Sequence, residues 1–341
     1  MSAFGSDAGY WSNLGRCELS PSSAKHLSKV IVDTTVQEKA VTFPTDAKLA
    51  NRAREKLFRL ARKHGLALRQ GYPRVGKLAL MKHRRYAHAK QFDRARRELR
   101  RLNTCLRRIF RDIDCKLKQA PALEPICRPM LLLAQRVHDQ QRGQCGPKVY
   151  SLHAPEVECI GKRKAHKPYE FAVKVSIATT VAPSRGGQFV LAAKALPGSP
   201  YDGHTLSTVI PHVGQIVGNE VKRIIADKGY RGHGAPAPYN MRVFVSGQRR
   251  GVTNAIKREL KRRSAVEPVI DHLKSDHRMD RNFLIGTEGH AANAVLAAIG
   301  YNFARLLAWL RALWRALITV LASVLFHPTP TRPMPELQAI A

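Results

Sequence analysis

Apolar and polar positions alternate in three textures along the chain. Lys29-Val-Ile-Val-Asp33-Thr-Thr is a short β-branched run ending in an acid, and it predicts a buried strand. From about Thr45 to His138 the spacing is helical. Phe92, Ala95, Leu99, Leu102, Leu106, Ile109, Ile113 and Leu117 recur every three or four residues, a seam of coiled-coil type. Pro121, Pro125 and Pro129 punctuate its end, and a further helix is expected from Met130 to His138. Gln140 to Pro147 is a polar, glycine-containing linker. Beyond it, Phe171–Thr179 and Phe189–Ala195 predict strands, with Gly186-Gly187 between them suggesting a hairpin. Leu206–Val217 reads as a helix weakened by Pro211, Val221–Ala226 as an apolar run ending at Asp227, and Arg242–Val245 as a short strand. Asn254–Leu273 reads as one helix and Ala291–Leu325 as one or more later helices.

That order predicts an α/β fold with a helical insertion after the first strand and C-terminal helices. The expected boundaries are an irregular segment at 1–28, the first core strand at 29–45, and a basic helical insertion with its linker at 46–147. The rest of the core with its C-terminal helices follows at 148–326, and a tail at 327–341. No internal repeat is visible.

Charge narrows the partner. The 341 residues carry 58 Lys/Arg against 25 Asp/Glu, a formal charge of +33. A compact fold tolerates such self-repulsion badly unless a polyanion neutralises it. Nucleic acid is the first choice, ahead of an anionic membrane or the ribosome, and charge alone does not separate these. Residues 51–118 hold 23 of the Lys/Arg and 5 of the acids. Opposite the apolar seam stand Arg94, Arg97, Arg101, Arg108 and Arg111. The six cysteines form no C-x-x-C pair, so no zinc ribbon is suggested, and reduced thiols are expected. The N-terminus lacks a signal-peptide pattern. Val295–Phe326 is strongly apolar, but Arg305, Arg311 and Arg315 interrupt it. The longest clean run, Ala316–Phe326, falls short of the roughly 20 residues a spanning helix needs. A packing helix is expected there, with no membrane partner and a cytoplasmic, nucleoid-associated protein.

Three acids stand out by position. Asp33 and Asp227 each end a hydrophobic run, and in open α/β sheets ligands gather beyond the carboxyl ends of strands. Glu267 lies on an expected helix, with Arg263 and Lys274 at spacings of four and seven, within roughly 60° of one face. Three carboxylates suit hard divalent cations, and two such ions can assist phosphodiester displacement. Taken singly, each acid is more readily a turn or cap residue. The helix face also reads as solvated salt bridges, although that reading favours Glu–Lys spacings of four over seven.

Several segments resemble the insertion-sequence DDE transposases of the IS-five-like group. They are VIVDTTVQEKAVTFPTDAKL, YEFAVKVSIATT, ALPGSPYDGHTL, IADKGYRGH and KRRSAVEPVIDHLKSDHRM, with NAVLAAIGYNFARLL after them. They stand in the family's order from about residue 29 to 310. Asp33 matches the first family acid, Asp227-x-Gly229-Tyr230 the second motif, and Arg263, Glu267 and Lys274 an R-x3-E-x6-K signature. The resemblance implies an RNase H-like core built on a mixed sheet, in which Asp33, Asp227 and Glu267 bind two Mg²⁺ or Mn²⁺ ions. It also implies DNA as partner, as element ends and as target, and is compatible with a homo-oligomer on DNA. Arg263, Lys274, Tyr230 and Arg231 are the expected supporting or DNA-contacting residues of the core, joined by Arg94, Arg97, Arg101 and Arg108 of the insertion. Asp202 in PYDGHTL matches a recurrent family acid and is either a further site acid or a turn residue.

Two departures accompany the resemblance. Leu260 stands where the fuller signature has Tyr, and the family's N-terminal helical domain has no counterpart before the first strand, as expected of a truncated or fused copy. The implied activity is metal-dependent cleavage of DNA followed by strand transfer. The alternatives are a nuclease of the same fold that joins nothing, and an inactive DNA-binding remnant.

Overall fold

The run expected to form the first strand does so, and extends further. β1 (Lys29–Glu38) buries Val30, Ile31, Val32 and Val36 almost completely, as suits β-branched side chains between two neighbouring strands. Thr34, Thr35 and Val36 continue the pairing with the next long strand as far as Glu38 opposite Ala172. Asp33 therefore lies mid-strand rather than at a strand end, which corrects the sequence expectation. The computed structural model describes residues 27–325 except 142, 145, 163–164, 166, 183–186, 219 and 236–240. Most of the 1–28 segment, the 327–341 tail, Cys17, Cys145 and Gly186 of the expected hairpin turn lie outside the described residues.

Among the described residues five further strands complete a mixed sheet: β2 (Glu158–Gly161), β3 (Tyr169–Thr180), β4 (Val190–Leu196), β5 (Arg223–Ala226) and β6 (Arg242–Val245). β1 is central, antiparallel to β3 on one side and parallel to β5 on the other, with β6 parallel beyond β5. β2 and β4 pair with the two halves of the far edge of β3. The α/β class is thus as expected.

Period-two alternation assigns the faces of the sheet. Val30 and Val32 of β1, with Ile224 and Ala226 of β5, pack beneath Leu206, Val209, Ile210 and Val213 of the helix Leu206–Val217. Ile31 and Ile225 point the other way, into a core shared with Val266, Val269, Ile270 and Leu273 of the helix Val266–Ser275.

Between β1 and β2 stand four helices, α1 (Asp46–Lys63), α2 (Pro73–His88), α3 (Phe92–Leu117) and α4 (Glu124–Asp139). They enclose a core of their own, with Leu57, Leu102, Leu106, Ile109, Ile113 and Leu131 fully buried. The α3 seam is the one read in sequence, except that Phe92, its first residue, is exposed. α4 starts six residues before the expected Met130. Pro125 sits in its first turn, where a missing N–H costs nothing, so this proline opens the helix rather than separating two. Arg94, Arg97, Arg101 and Arg108 all face solvent. Among the described residues, Arg101 alone of the four meets an acid, Glu98 at 3.9 Å.

The later helices follow as α5 (Leu206–Val217), α6 (Asn254–Arg262), α7 (Val266–Ser275) and α8 (Gly286–Leu325). The single helix expected over Asn254–Leu273 is instead α6 and α7, separated by a 3₁₀ turn at Arg263–Ala265. Pro268 explains the break: it has no N–H for the Ser264 carbonyl, and its ring crowds that carbonyl. α8 departs further from expectation. Ala294, Ala297, Ala298 and Tyr301 pack into the core, but beyond them Leu306, Leu310, Leu313, Leu317 and Val320 are exposed. The packing helix expected at Val295–Phe326 is therefore a packed stem with a bare continuation. By length and composition alone α8 is long and apolar enough to cross a membrane.

Candidate active site

Pairing register places the first two acids side by side. Ile31 of β1 lies opposite Ile225 of β5, so Asp33 and Asp227 are each two residues beyond that pair, where the parallel strands part. Period two puts both on the face of Ile31 and Ile225, the face that α7 covers. Glu267, the second residue of α7, is exposed at the near end of that helix.

Arg263 gathers the three. Its Nη2 donates to Glu267 Oε1 at 2.9 Å, its Nη1 lies 3.7 Å from Asp33 Oδ2, and its Nε lies 3.8 Å from Asp227 Oδ1. All three carboxylates thus stand within reach of one guanidinium. The turn that breaks α6 from α7 makes this possible. Arg262 donates to the Val181 carbonyl at 2.9 Å, anchoring the turn to the sheet, while the next residue is directed at the acids. The Arg263–Glu267 spacing read as one helix face is realised as a pair at i and i+4 across the end of that turn.

Asp33 is the most enclosed of the three acids, its side chain 18% exposed against 48% for Asp227 and 60% for Glu267. Burial pushes its carboxyl up to about 6, opposed by the Thr34 N–H at 2.8 Å and by Arg263, and reinforced by Asp227 and Asp202. Desolvation outweighs both stabilising contacts.

Asp202 belongs to the other face of the sheet. It opens a 3₁₀ turn before α5, accepts from Thr34 Oγ1 at 2.8 Å and pairs with Lys174 Nζ at 3.0 Å. It stands at the start of that turn, and its carboxylate braces β1 from behind Asp33. Gly229 permits this approach, since a Cβ there would stand 3.1 Å from Asp202 Oδ2. Tyr230 is buried beside Thr34 and Thr205, and burial, with Asp33 and Asp202 adding, pushes its hydroxyl up. It supports the site from within and has no exposed surface to offer DNA. Arg231 and Lys228 are exposed next to Asp227, and Lys274 lies two turns along α7 from Glu267. The arginines of α3 belong to the separate helical unit. Sequence reading missed Thr34, Lys174 and Lys228. Lys228 had a signal in its adjacency to Asp227, whereas the other two reveal themselves only through contacts with Asp202.

Residues 244–307 match the family model described as Transposase DDE domain. That match supports a DDE transposase. It takes in Arg263, Glu267 and Lys274 and leaves Asp33 and Asp227 outside. The chain is also 54% identical over 66 residues to a Rhizobium meliloti protein named "Uncharacterized protein ORF8 in nfe locus". This stretch is 19% of the chain and 32% of that relative, so the chain spans about a third of its relative's length. No solved structure matches the chain.

The donor set fits a hard divalent cation in kind, being three carboxylates with two of them open to solvent. Among the described residues, however, no three His, Cys, Asp or Glu are spaced to hold a metal as they stand. Arg263 occupies the ground between the acids.

Proposed function

We propose that this chain is a DDE-type transposase of the IS-five-like group, cleaving DNA at the ends of an insertion sequence and transferring the freed strand. The observation that carries the reading is the convergence of Asp33, Asp227 and Glu267 on Arg263, from two parallel strands and the helix above them. Its RNase H-like core is supported by strand order: β1 is central, with β3 antiparallel to it and β4 antiparallel to β3 on one side, and β5 and β6 parallel to it on the other. Residues 29–45 and 148–326 form that core in this reading, and 46–147 a basic insertion.

Asp33, Asp227 and Glu267 would hold Mg²⁺ or Mn²⁺, which when bound polarises a phosphodiester and lowers the pKa of the attacking oxygen. Arg263 keeps the three acids together before then and must turn aside to free them. Asp202 and Lys174 fix β1 from the opposite face, so Asp33 keeps its position when its charge changes. Lys228, Arg231 and Lys274 offer cations beside the acids for the phosphates flanking the cut. The arginine face of α3 supplies contacts that position DNA without reading it. Such a protein works where DNA lies, in the cytoplasm at the nucleoid.

The test is a duplex carrying an element end, incubated with the purified chain and Mg²⁺ or Mn²⁺, scored for both nicking and strand joining. Both activities should appear with the wild type and vanish in Asp227→Asn and Glu267→Gln, while duplex binding persists. Nicking without joining would reduce the proposal to a nuclease, and binding with no cation-dependent cleavage by the wild type would end it.

A further inference from the structure

The exposed part of α8 has a rhythm that the candidate site does not use. From Phe303 an apolar row runs through Leu306, Leu310, Leu313 and Leu317 to Val320, in steps of three, four, three, four and three. The same rhythm extends back to Ile299 and Leu296. All eight side chains are exposed, from 40% at Leu306 to 60% at Leu296 and Phe303. A period of 3.5 held over more than three heptads is the spacing that keeps one seam turned toward another helix. At a rise of 1.5 Å per residue the seam is roughly 36 Å long.

The other side of the helix is already used. Ala294, Ala297, Ala298 and Tyr301 are buried against the sheet, and Asn302 exchanges hydrogen bonds with Val190 of β4 at 3.0 and 2.8 Å. The stem is thereby fixed with its seam outward. In heptad terms Arg305, Arg311 and Arg315 fall on positions away from the seam. The positions flanking the seam hold residues such as Leu307, Trp309, Trp314 and Ala316 and carry no charge.

We propose that α8 pairs with α8 of a second copy of this chain, forming a coiled coil along Leu296–Val320. A lipid bilayer fits less well: Arg311 and Arg315 would lie within any span that used the exposed part, and the uncharged stretch after Arg315 is about half of what a crossing requires. A foreign helix fits less well too, because uncharged flanks carry no element that would select an oppositely charged partner. A second copy brings the same apolar row, and a two-fold axis makes that row complementary to itself. The inference is independent of the chemistry proposed for the carboxylates.

The experiment is sedimentation equilibrium of the nuclease-treated full chain in 0.5 M NaCl, from 1 to 50 µM, where DNA cannot bridge copies. The wild type should reach the mass of a dimer. Leu306→Glu/Leu313→Glu should stay a monomer, with its far-UV spectrum and the melting of the sheet unit unchanged. Arg311→Gln/Arg315→Gln, on the polar side, should dimerise like the wild type. As a second readout, Leu310→Cys should be captured as an inter-chain disulfide under mild oxidation, found by peptide mass. A monomeric wild type at 50 µM, or a dimer that survives the double glutamate substitution, overturns the proposal. So does a wild type that floats with phosphatidylcholine/phosphatidylglycerol vesicles while remaining monomeric without them.

Discussion

In the helical insertion Arg94, Arg97 and Arg108 stand in solvent without an acidic partner among the described residues, whereas in the sheet unit Arg263 is drawn among three carboxylates and is only 17% exposed. The two regions are also built separately, each around its own apolar core. The contrast separates two uses of one side chain. An arginine with no acidic partner keeps its charge available to a phosphate and gains by releasing counterions when it binds. An arginine held by three acids offers little net charge outward and instead sets the spacing of those acids.

The sharpest way to break this contrast is to disable each region alone. Asp227→Asn should lower cleavage by about a thousandfold or more, the rate equivalent of a few kcal/mol of lost charge stabilisation, and leave duplex affinity unchanged by filter binding. Replacing Arg94, Arg97, Arg101 and Arg108 by Ala should lower affinity by about a hundredfold at 0.1 M salt. It should also reduce the slope of log K against log[salt] by about four. If the quadruple variant keeps the wild-type slope, those arginines do not touch phosphate and the division fails.

Leu106→Ala comes next in size. Leu106 is fully buried in the helical core, and truncation should cost about 2–5 kcal/mol. Hydrogen exchange should show the loss confined to residues 46–139. An equal loss of protection in β1 and β5 would show that the two regions unfold as one.

Asp33→Asn probes the sheet unit by stability. Folded Asp33 titrates at about 6, above its ordinary value of 3.8, so the native state binds more protons between those limits. The wild type therefore loses stability relative to the variant as pH rises from about 4 through 6, and the deficit is complete above 6. Without divalent cations the Asn variant should be more stable by up to about 3 kcal/mol at pH 7.5 and equal near pH 3.5, by urea denaturation. A variant less stable than the wild type at pH 7.5 would mean that the attraction of Arg263 outweighs burial. The smallest effects belong to matched caps. Thr45 accepts from the Lys48 N–H at 3.3 Å in the insertion, and Thr253 from the Ile256 N–H at 3.4 Å in the sheet unit. Each Thr→Ala should cost about 1 kcal/mol, with local exchange rising only in α1 or only in α6.

The same contrast explains what was legible in sequence. The α3 seam could be read because its partners are a few turns away and share its period. β3, β5 and β6 could be read because β-branched runs end at turn residues. The mid-strand place of Asp33 could not, since what extends β1 to Glu38 is pairing with Ala172, far along the chain. β2 escaped notice because Glu158-Cys-Ile-Gly161 is too short to show a period. Of the site, the spacing of Arg263, Glu267 and Lys274 was visible, whereas the service of Thr34 and Lys174 to Asp202 is made by tertiary packing alone. The apolar content of α8 was visible as well, and what misled was the assumption that apolar means covered by the same chain.

The central place of β1 also bears on how the chain acquires its shape. Val30 must find Ile224 and Thr180, so the strand that organises the sheet is made long before either neighbour. At synthesis rates of about 5–20 residues per second, β1 waits roughly 10 to 40 seconds for β5 to leave the ribosome. The four helices that follow β1 have close partners and can settle in that interval, since local contacts form early. Once folded, they shorten the effective loop that β1 and β3 must close, lowering its entropic cost. Nascent chains halted once residue 150 has left the ribosome should accordingly hold a protease-resistant helical unit, with β1 still open to chaperones.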